Sequence, residues 1–230
     1  MQLFDNSSEE TFSTSSWQNI IDWAQVHYRD RVFRRDEQIP TRPQLIYLVN
    51  KGAVRLVSQS EERPETVPEL EELQPEESFL GFVSARKPFE IVAQSSFNIC
   101  AYAHVDQTQV IWLYWKDLEN WSGFSQQLYE AFRYQHQRKL LWLGALGQRR
   151  TIDRLASFLT LLLEEHGVNQ GENCCLPYSL THAQIGSAIG STRVTVTRLM
   201  GKLRRQEIIS VRDDNSICIN LDRLRDFNHE

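Results

Sequence analysis

The chain has 230 residues, of which 41% are hydrophobic and 24% charged, and its formal net charge is −5. This length allows one large domain or two ordinary ones. An aromatic content of 10% exceeds what disordered chains carry, and scarce, aperiodic Gly and Pro exclude a collagen-like or low-complexity fibre. No apolar run approaches the ~18 residues of a membrane-spanning helix, and the polar N-terminus lacks a signal-peptide pattern. We therefore expect a cytoplasmic protein with no membrane partner.

The four cysteines form no pattern that is typical of a metal site. Cys100, Cys174, Cys175 and Cys218 contain no C-x-x-C pair and are too scattered for a zinc or iron–sulfur framework. Adjacent cysteines rarely bridge each other. The sequence therefore predicts free thiols in a reducing compartment, no metal site and no cofactor.

Charge is distributed unevenly along the chain. Residues 61–77 carry eight acids and one base, whereas residues 193–212 carry six bases and one acid. The acidic run is typical of a solvated loop. Because salt screens electrostatic interactions beyond about 8–10 Å, phosphates respond to such a local basic stripe rather than to the net charge.

The first half of the chain changes texture near residue 30. Residues 17–28 place Trp17, Ile20, Ile21 and Ala24 at helical spacing and predict a short amphipathic helix. Residues 32–103 contain β-rich runs broken by Pro, Gly and charged turns, which is typical of a sandwich or barrel. Within them, residues 44–57 predict a strand, a turn and a strand.

A long helix is predicted over residues 124–146, a stretch without Pro. One alternative is that it packs within its own chain, and the other is a coiled coil of two chains. The spacing alone leaves both open. Its predicted seam consists of Phe124, Leu128, Ala131, Gln135, Leu140, Trp142 and Leu146.

Two consecutive helices follow a predicted domain boundary at residues 147–149 and an amphipathic helix at residues 151–166. Thr181 and Gln184 form a capping-box pattern, which predicts the start of the first helix. Gly190 ends that helix, and Ser191 or Thr192 caps the second, which extends to about Arg205. Two helices joined by a tight glycine-containing turn are typical of the helix-turn-helix.

The second helix has two different faces. Its apolar face carries Val196, Leu199, Met200 and Leu203, and its opposite face carries Val194, Thr197, Arg198 and Gly201, with Arg193 beside them. The alternating segments at residues 208–212 and 216–220 flank an Asp-Asp-Asn turn, which predicts a hairpin. The module is therefore expected to be a winged helix.

The exposed residues of this module suit DNA. An arginine can bind guanine O6 and N7, and an apolar side chain such as Val194 can contact a thymine methyl. Hydroxyl and backbone donors at helix N-termini suit phosphates. The predicted DNA-binding residues are Thr181, His182, Ser191, Thr192, Arg193, Val194, Thr197, Arg198 and Arg212.

Residues 180–210, LTHAQIGSAIGSTRVTVTRLMGKLRRQEIIS, closely resemble the helix-turn-helix of the cyclic-AMP receptor protein / fumarate–nitrate reduction regulator superfamily. They are most similar to the branch of cyanobacterial global nitrogen regulators. Residues 154–159 resemble the first helix of the family's DNA-binding domain, and residues 32–58 resemble the opening strands of its sensor domain. The resemblance extends over most of residues 30–220.

This resemblance implies an α+β fold in three parts: a cyclic-nucleotide-binding-type β-barrel (1–121), a dimerisation helix (122–147) and a winged helix-turn-helix (148–230). It implies a homodimer that binds double-stranded DNA, with RNA polymerase as an expected partner. Arg193 and Arg198 take the positions of the family's base-reading arginines. Because Val194 replaces the Glu of most cyclic-AMP-type members, the implied half-sites are GTA…TAC.

The effector site departs from the family pattern. Cyclic-AMP binders need an Arg-Ser/Thr-Ala segment, but here Pro88 precedes Phe89. In the nitrogen regulators, two positions of the dimer helix hold 2-oxoglutarate. In this sequence those positions are Gln135 and Leu140, which lack the charge that a dicarboxylate needs. We therefore expect neither cyclic AMP nor 2-oxoglutarate to bind as in the relatives, so the effector is unknown.

Two other functions are weighed against a regulator. A metal-dependent enzyme on the barrel would need several converging histidines, and the barrel segment has only His104. No phosphate-loop, nucleophile-elbow or His-Glu-x-x-His motif occurs, so we expect no enzyme. The second alternative is a small-molecule or protein-binding sensor with little specific DNA binding.

Overall fold

The computed structural model describes residues 14–60, 77–92, 97–171, 173–220 and 222–224. Residues 61–76, which hold most of the predicted acidic loop, lie outside this part. The chain divides into two compact units, one comprising residues 1–76 and 81–136 and the other residues 77–80 and 137–230. Among the described residues, no helix combines the length and the apolar character needed to cross a bilayer.

The first unit consists mainly of strands flanked by helices. Its two four-stranded sheets have the orders β1-β8-β3-β6 and β2-β7-β4-β5, and the described strand pairs are antiparallel. The predicted strand, turn and strand of residues 44–57 are confirmed as β3 and β4, which enter different sheets. The elements are α1 (Thr14–Val26), β1 (Asp30–Phe33), β2 (Gln38–Ile39), β3 (Leu45–Lys51), β4 (Ala53–Ser60), β5 (Glu77–Ser84), β6 (Pro88–Phe89), β7 (Phe97–Ala103), β8 (Thr108–Tyr114), a 3₁₀ turn (Trp115–Asn120) and α2 (Ser122–Leu146).

Two apolar clusters lie on opposite faces of β3. Leu45, Tyr47 and Val49 point between the two sheets, whereas Ile46 and Leu48 pack under α1 and the start of α2. Successive strand side chains point to opposite faces, so a strand covered on both sides becomes a continuous apolar run. This explains why five consecutive residues of β3 are buried.

Among its described residues, the second unit contains the end of α2, the helices α3 to α5 and a four-stranded sheet of order β11-β12-β10-β9. The helix predicted at residues 151–166 is confirmed as α3, and the helix predicted to end near Arg205 ends at that residue. The elements are α3 (Thr151–His166), β9 (Val168–Gln170), β10 (Asn173–Ser179), α4 (His182–Ala188), α5 (Arg193–Arg205), β11 (Ile209–Val211) and β12 (Ser216–Asn220). The predicted hairpin is formed by β11 and β12.

The prediction of four free thiols is wrong for two cysteines. Cys175 on β10 lies directly opposite Cys218 on β12, and the two sulfur atoms form a disulfide. The two residues are 43 positions apart in sequence, so only the antiparallel pairing of the strands brings them together. Cys100 and Cys174 are free thiols.

Most of the predicted dimer seam on α2 is occupied by intra-chain contacts. Phe124, Leu128 and Ala131 are buried against α1 and the adjoining sheet, so the alternative of packing within one chain applies to them. Gln135 Nε2 donates a hydrogen bond to the Pro88 carbonyl at 2.8 Å.

The remaining seam residues lie in the second unit. Trp142 donates through Nε1 to the Ala188 carbonyl at 3.2 Å and packs against Phe158. Leu146 is half-buried, and only Leu140 is exposed. The apolar residues of α2 that their own chain leaves most exposed are Tyr129, Leu140 and Leu143, at 59%, 48% and 64% exposure, and of these only Leu140 belongs to the predicted seam.

Candidate nucleic-acid interface

The two helices of the predicted helix-turn-helix begin at side-chain caps. Thr181 Oγ1 accepts from the Gln184 amide at 3.1 Å, and Gln184 Oε1 accepts from the Thr181 amide at 3.0 Å. The predicted capping box is therefore confirmed. Of the two residues proposed to cap the second helix, Thr192 does so by accepting from the Thr195 amide at 3.2 Å.

The turn between α4 and α5 depends on two glycines. Gly190 has a φ of +61°, a left-handed conformation that favours glycine because it lacks a Cβ. Gly186 lies inside α4, and a Cβ on it would lie 2.7 Å from the Ser191 carbonyl oxygen. That carbonyl approaches because the Ser191 amide donates to the Gly186 carbonyl at 2.8 Å. The sequence reasoning missed Gly186, although a glycine inside a predicted helix is a recognisable signal.

Helix α5 has one face in the core and one in solvent. Val196, Met200 and Leu203 are buried, as their spacing predicts, and Leu199 is half-buried. On the opposite face Arg193, Thr197 and Arg198 are exposed, and Val194 is 79% exposed. No acid occurs between Arg193 and Arg205.

The guanidinium groups of Arg193 and Arg198 form no ion pair or hydrogen bond with any described residue. Their charge is therefore not neutralised within the chain. An exposed β-branched side chain between free cations cannot be explained by packing or by internal ion pairing. It suits a surface that meets apolar groups and anions together, as in a DNA groove.

A short hydrogen-bond relay connects the first turns of α4 and α5. The Thr197 hydroxyl donates to the Arg193 carbonyl at 2.9 Å, so it accepts from His182 Nδ1, which lies 2.8 Å away. His182 is the first residue of α4. The relay therefore brings His182 and Thr197, which are 15 residues apart, to the same side of the motif.

Arg212 lies at the start of the turn between β11 and β12 and is exposed. Its guanidinium donates to Gln170 Oε1 on β9 at 2.8 Å. The sequence reasoning did not find Gln170, because it is 42 residues away and has no motif around it. The Asp214 carboxylate accepts from the Ser216 amide at 2.9 Å, and the nearby Ser216 side chain together with this bond holds the pKa of Asp214 below its usual range.

The structure thus brings the predicted DNA-binding residues to two places in the second unit. The larger group lies around the first turns of α4 and α5, and Arg212 lies at the hairpin. Ser191 is half-buried in the connecting turn, with its amide already bonded. The larger group comprises Thr181, His182, Ser191, Thr192, Arg193, Val194, Thr197 and Arg198.

The sequence profile of the Crp-like helix-turn-helix domain matches residues 153–227. The C-terminal region, hereafter the Crp-like domain, is therefore similar to Crp-like helix-turn-helix domains. Over 71 residues the chain is 42% identical to the global nitrogen regulator of Nostoc sp. and 39% identical to that of Synechococcus elongatus. Each match includes 31% of this chain, and the chain spans about a third (32%) of the length of these curated relatives.

Solved structures resemble the chain over a much larger part of its length. A cyclic nucleotide-binding domain containing protein from Listeria monocytogenes matches 90% of this chain and 97% of its own, with a TM-score of 0.70 and 14% identity. FixK2 from Bradyrhizobium japonicum matches 86% and 95%, with a TM-score of 0.63 and 22% identity. A CRP-family regulator from Thermus thermophilus matches 87% and 97%, with a TM-score of 0.64 and 19% identity.

At these identities the likeness shows the fold. It confirms the predicted α+β class, with a β-rich domain followed by the Crp-like domain. Together with the profile match, it confirms the resemblance to the superfamily that the sequence indicated.

Proposed function

We propose that the chain is a sequence-specific transcription regulator that binds, as a homodimer, a palindromic GTA…TAC site in double-stranded DNA. The observation that carries the proposal is the exposed face of α5, where Val194 stands between two arginines without internal partners. Arg193 reads guanine, Val194 contacts the adjoining thymine methyl, and Arg198 contacts a base or phosphate. The capped N-termini of both helices and Arg212 contact the backbone.

The test compares two duplexes at fixed salt, one with GTA…TAC half-sites and one with the G·C pair inverted. Inversion is expected to cost roughly 1–3 kcal/mol of binding free energy, and Arg193→Ala should remove this difference. Arg149→Ala is the matched control, because Arg149 is an exposed arginine of the same unit outside α5. If both duplexes bind equally and Arg193→Ala weakens both, Arg193 is a phosphate contact. The sensor alternative then gains support.

Dimerisation is assigned to the exposed side of α2. Tyr129, Arg133, His136, Leu140 and Leu143 follow one another at intervals of four and three residues, the spacing of a coiled-coil seam. A dimer on this seam would place its two copies of α5 about one DNA turn, roughly 34 Å, apart.

Leu143→Glu should convert the dimer to a monomer in sedimentation analysis, because it introduces a charge at the most exposed apolar position of α2. Gln137→Glu is the control, since Gln137 is exposed on the same helix but lies outside the seam. A dimer that survives Leu143→Glu would contradict the assignment.

The family's usual anions are not the proposed effectors. Gln135 is hydrogen-bonded to the Pro88 carbonyl, and the Lys87 ammonium lies 5.3 Å from the centre of the Tyr134 ring. These contacts engage Gln135, one of the two positions that the resemblance implies for a dicarboxylate, and Lys87, a cation beside Pro88, within the chain. Addition of cyclic AMP or 2-oxoglutarate should therefore leave DNA affinity unchanged, and a rise with either ligand would contradict this proposal. An RNA polymerase contact is expected from the class of regulator.

A further inference from the structure

An open cavity of about 280 Å³ lies at one end of the space between the two sheets of the first unit. Its walls come from β1, β2, β3, β8 and the segment between β2 and β3. Neither Pro88 and Phe89, where the resemblance implies an effector segment, nor any residue of α2 lines it. Its volume is near the lower end for small-molecule sites, which suits a small metabolite rather than a nucleotide.

The polar side chains that line the cavity all donate hydrogen bonds. They are Arg31, Arg42, Tyr47, Trp112 and Tyr114. Guanidinium and indole groups only donate, whereas a phenol both donates and accepts. No carboxylate lines the cavity, and its deeper wall is apolar, with Phe33, Leu45 and Val110. Such a lining suits a ligand with an apolar body and an anionic head.

The phenol of Tyr47 lies at the boundary between these two parts. Its side chain is buried and stacks on Phe89, with 5.0 Å between ring centres. Its oxygen accepts from the Arg42 amide at 2.8 Å, so its own proton remains available to a ligand oxygen. Burial raises the pKa of Tyr47, partly offset by the Arg42 amide bond and the Arg42 charge, so the phenol stays a donor at neutral pH.

Two arginines, Arg31 and Arg42, line the cavity. Arg31 pairs with Glu37, but no carboxylate pairs with the Arg42 guanidinium in the part of the chain that the structure describes. Lys116 lies over the Tyr114 ring at 5.3 Å and likewise has no carboxylate partner among those residues. The excess charge favours an anion, and the planar guanidinium of Arg42 matches a carboxylate well.

We propose that this cavity binds a small monocarboxylate with an aromatic or branched aliphatic body. The carboxylate lies between the Arg42 guanidinium and the Tyr47 hydroxyl, and the apolar body lies against Phe33, Leu45 and Val110. The site does not depend on the proposed DNA binding, because every residue that carries it belongs to the first unit.

The test is calorimetric titration of the full chain with benzoate and 4-methylpentanoate, each beside its neutral amide. The acids are expected to bind with a Kd of about 0.1–1 mM and the amides at least about 10-fold more weakly. Acetate, which has the head but no body, and inorganic phosphate should bind more weakly than either acid.

Two variants locate the site. Arg42→Gln should weaken acid binding about 10-fold, and Tyr47→Phe, which keeps the ring, about 3-fold or more. Arg149→Gln is the matched control and should leave binding unchanged. Circular dichroism of each variant establishes that the fold is retained.

Four outcomes would overturn the proposal. They are equal binding of acids and amides, binding of acetate or phosphate as tight as that of the acids, full binding by Arg42→Gln, and no heat with either acid up to about 10 mM. Phosphate binding alone would identify a bare anion site on the surface.

Discussion

The sequence predicts a DNA-binding face on α5 and a dimer seam on α2, and the two faces differ in how far their own chain buries them. The predicted outer face of α5 is exposed, with its arginines unpaired, whereas three residues of the predicted seam of α2 are buried in their own chain. The difference lies in the patterns. In α5 one stripe is apolar and the opposite stripe is basic. Helix α2 has apolar residues on several sides, and spacing alone cannot tell which side meets its own sheet and which meets a second chain.

The largest expected effect tests the buried side of α2. Leu128→Ala should lower the free energy of unfolding of the first unit by about 2–5 kcal/mol, because Leu128 is 1% exposed and its removal leaves a cavity. Leu141→Ala deletes the same atoms from a position that is 44% exposed, and its effect should stay within about 0.5 kcal/mol. Urea denaturation measures both. Equal effects would contradict the burial of Leu128 in its own chain.

The next effect concerns the sheet that packs against α5. Under oxidising conditions Cys218→Ser should cost the second unit about 2–4 kcal/mol, because it removes a cross-link that constrains the unfolded chain. A reductant should lower the stability of the unsubstituted chain by a similar amount.

Cys100→Ser is the control, because Cys100 is a free thiol in the first unit. Mass spectrometry of the oxidised protein after alkylation should count two modified cysteines. Four modified cysteines would show that the sequence-based expectation of free thiols was correct.

The smallest expected effect concerns the cap at the start of α4, the helix that precedes α5. Thr181→Ala should destabilise the second unit by about 1 kcal/mol, because the capping box loses one of its two hydrogen bonds. Ser210→Ala on β11 serves as control, since Ser210 is exposed and caps no helix. The measurement is the midpoint temperature of thermal unfolding for the two variants. Identical midpoints would indicate that the cap contributes nothing to stability.

Local patterns in the sequence predicted most of the Crp-like domain. The cap at Thr181, the end of α5 at Arg205 and the hairpin after it each depend on residues a few positions apart. The Cys175–Cys218 disulfide and the Arg212–Gln170 bond join residues 43 and 42 positions apart. Strand register determines these contacts, and the register could not be derived from the separate strand patterns. The cavity could not be predicted for the same reason, because its walls combine residues 31–47 with residues 110–114.

The relay from His182 through Thr197 to the Arg193 carbonyl has a consequence for the rigidity of the motif. It holds the start of α4 and the first turn of α5 in one arrangement before any DNA is present. The loss of conformational entropy on association should therefore be small for these residues, because their side chains are pre-organised. Replacing Thr197 by valine would keep its shape and remove the relay. The change should appear as a less favourable entropy of DNA association in calorimetry.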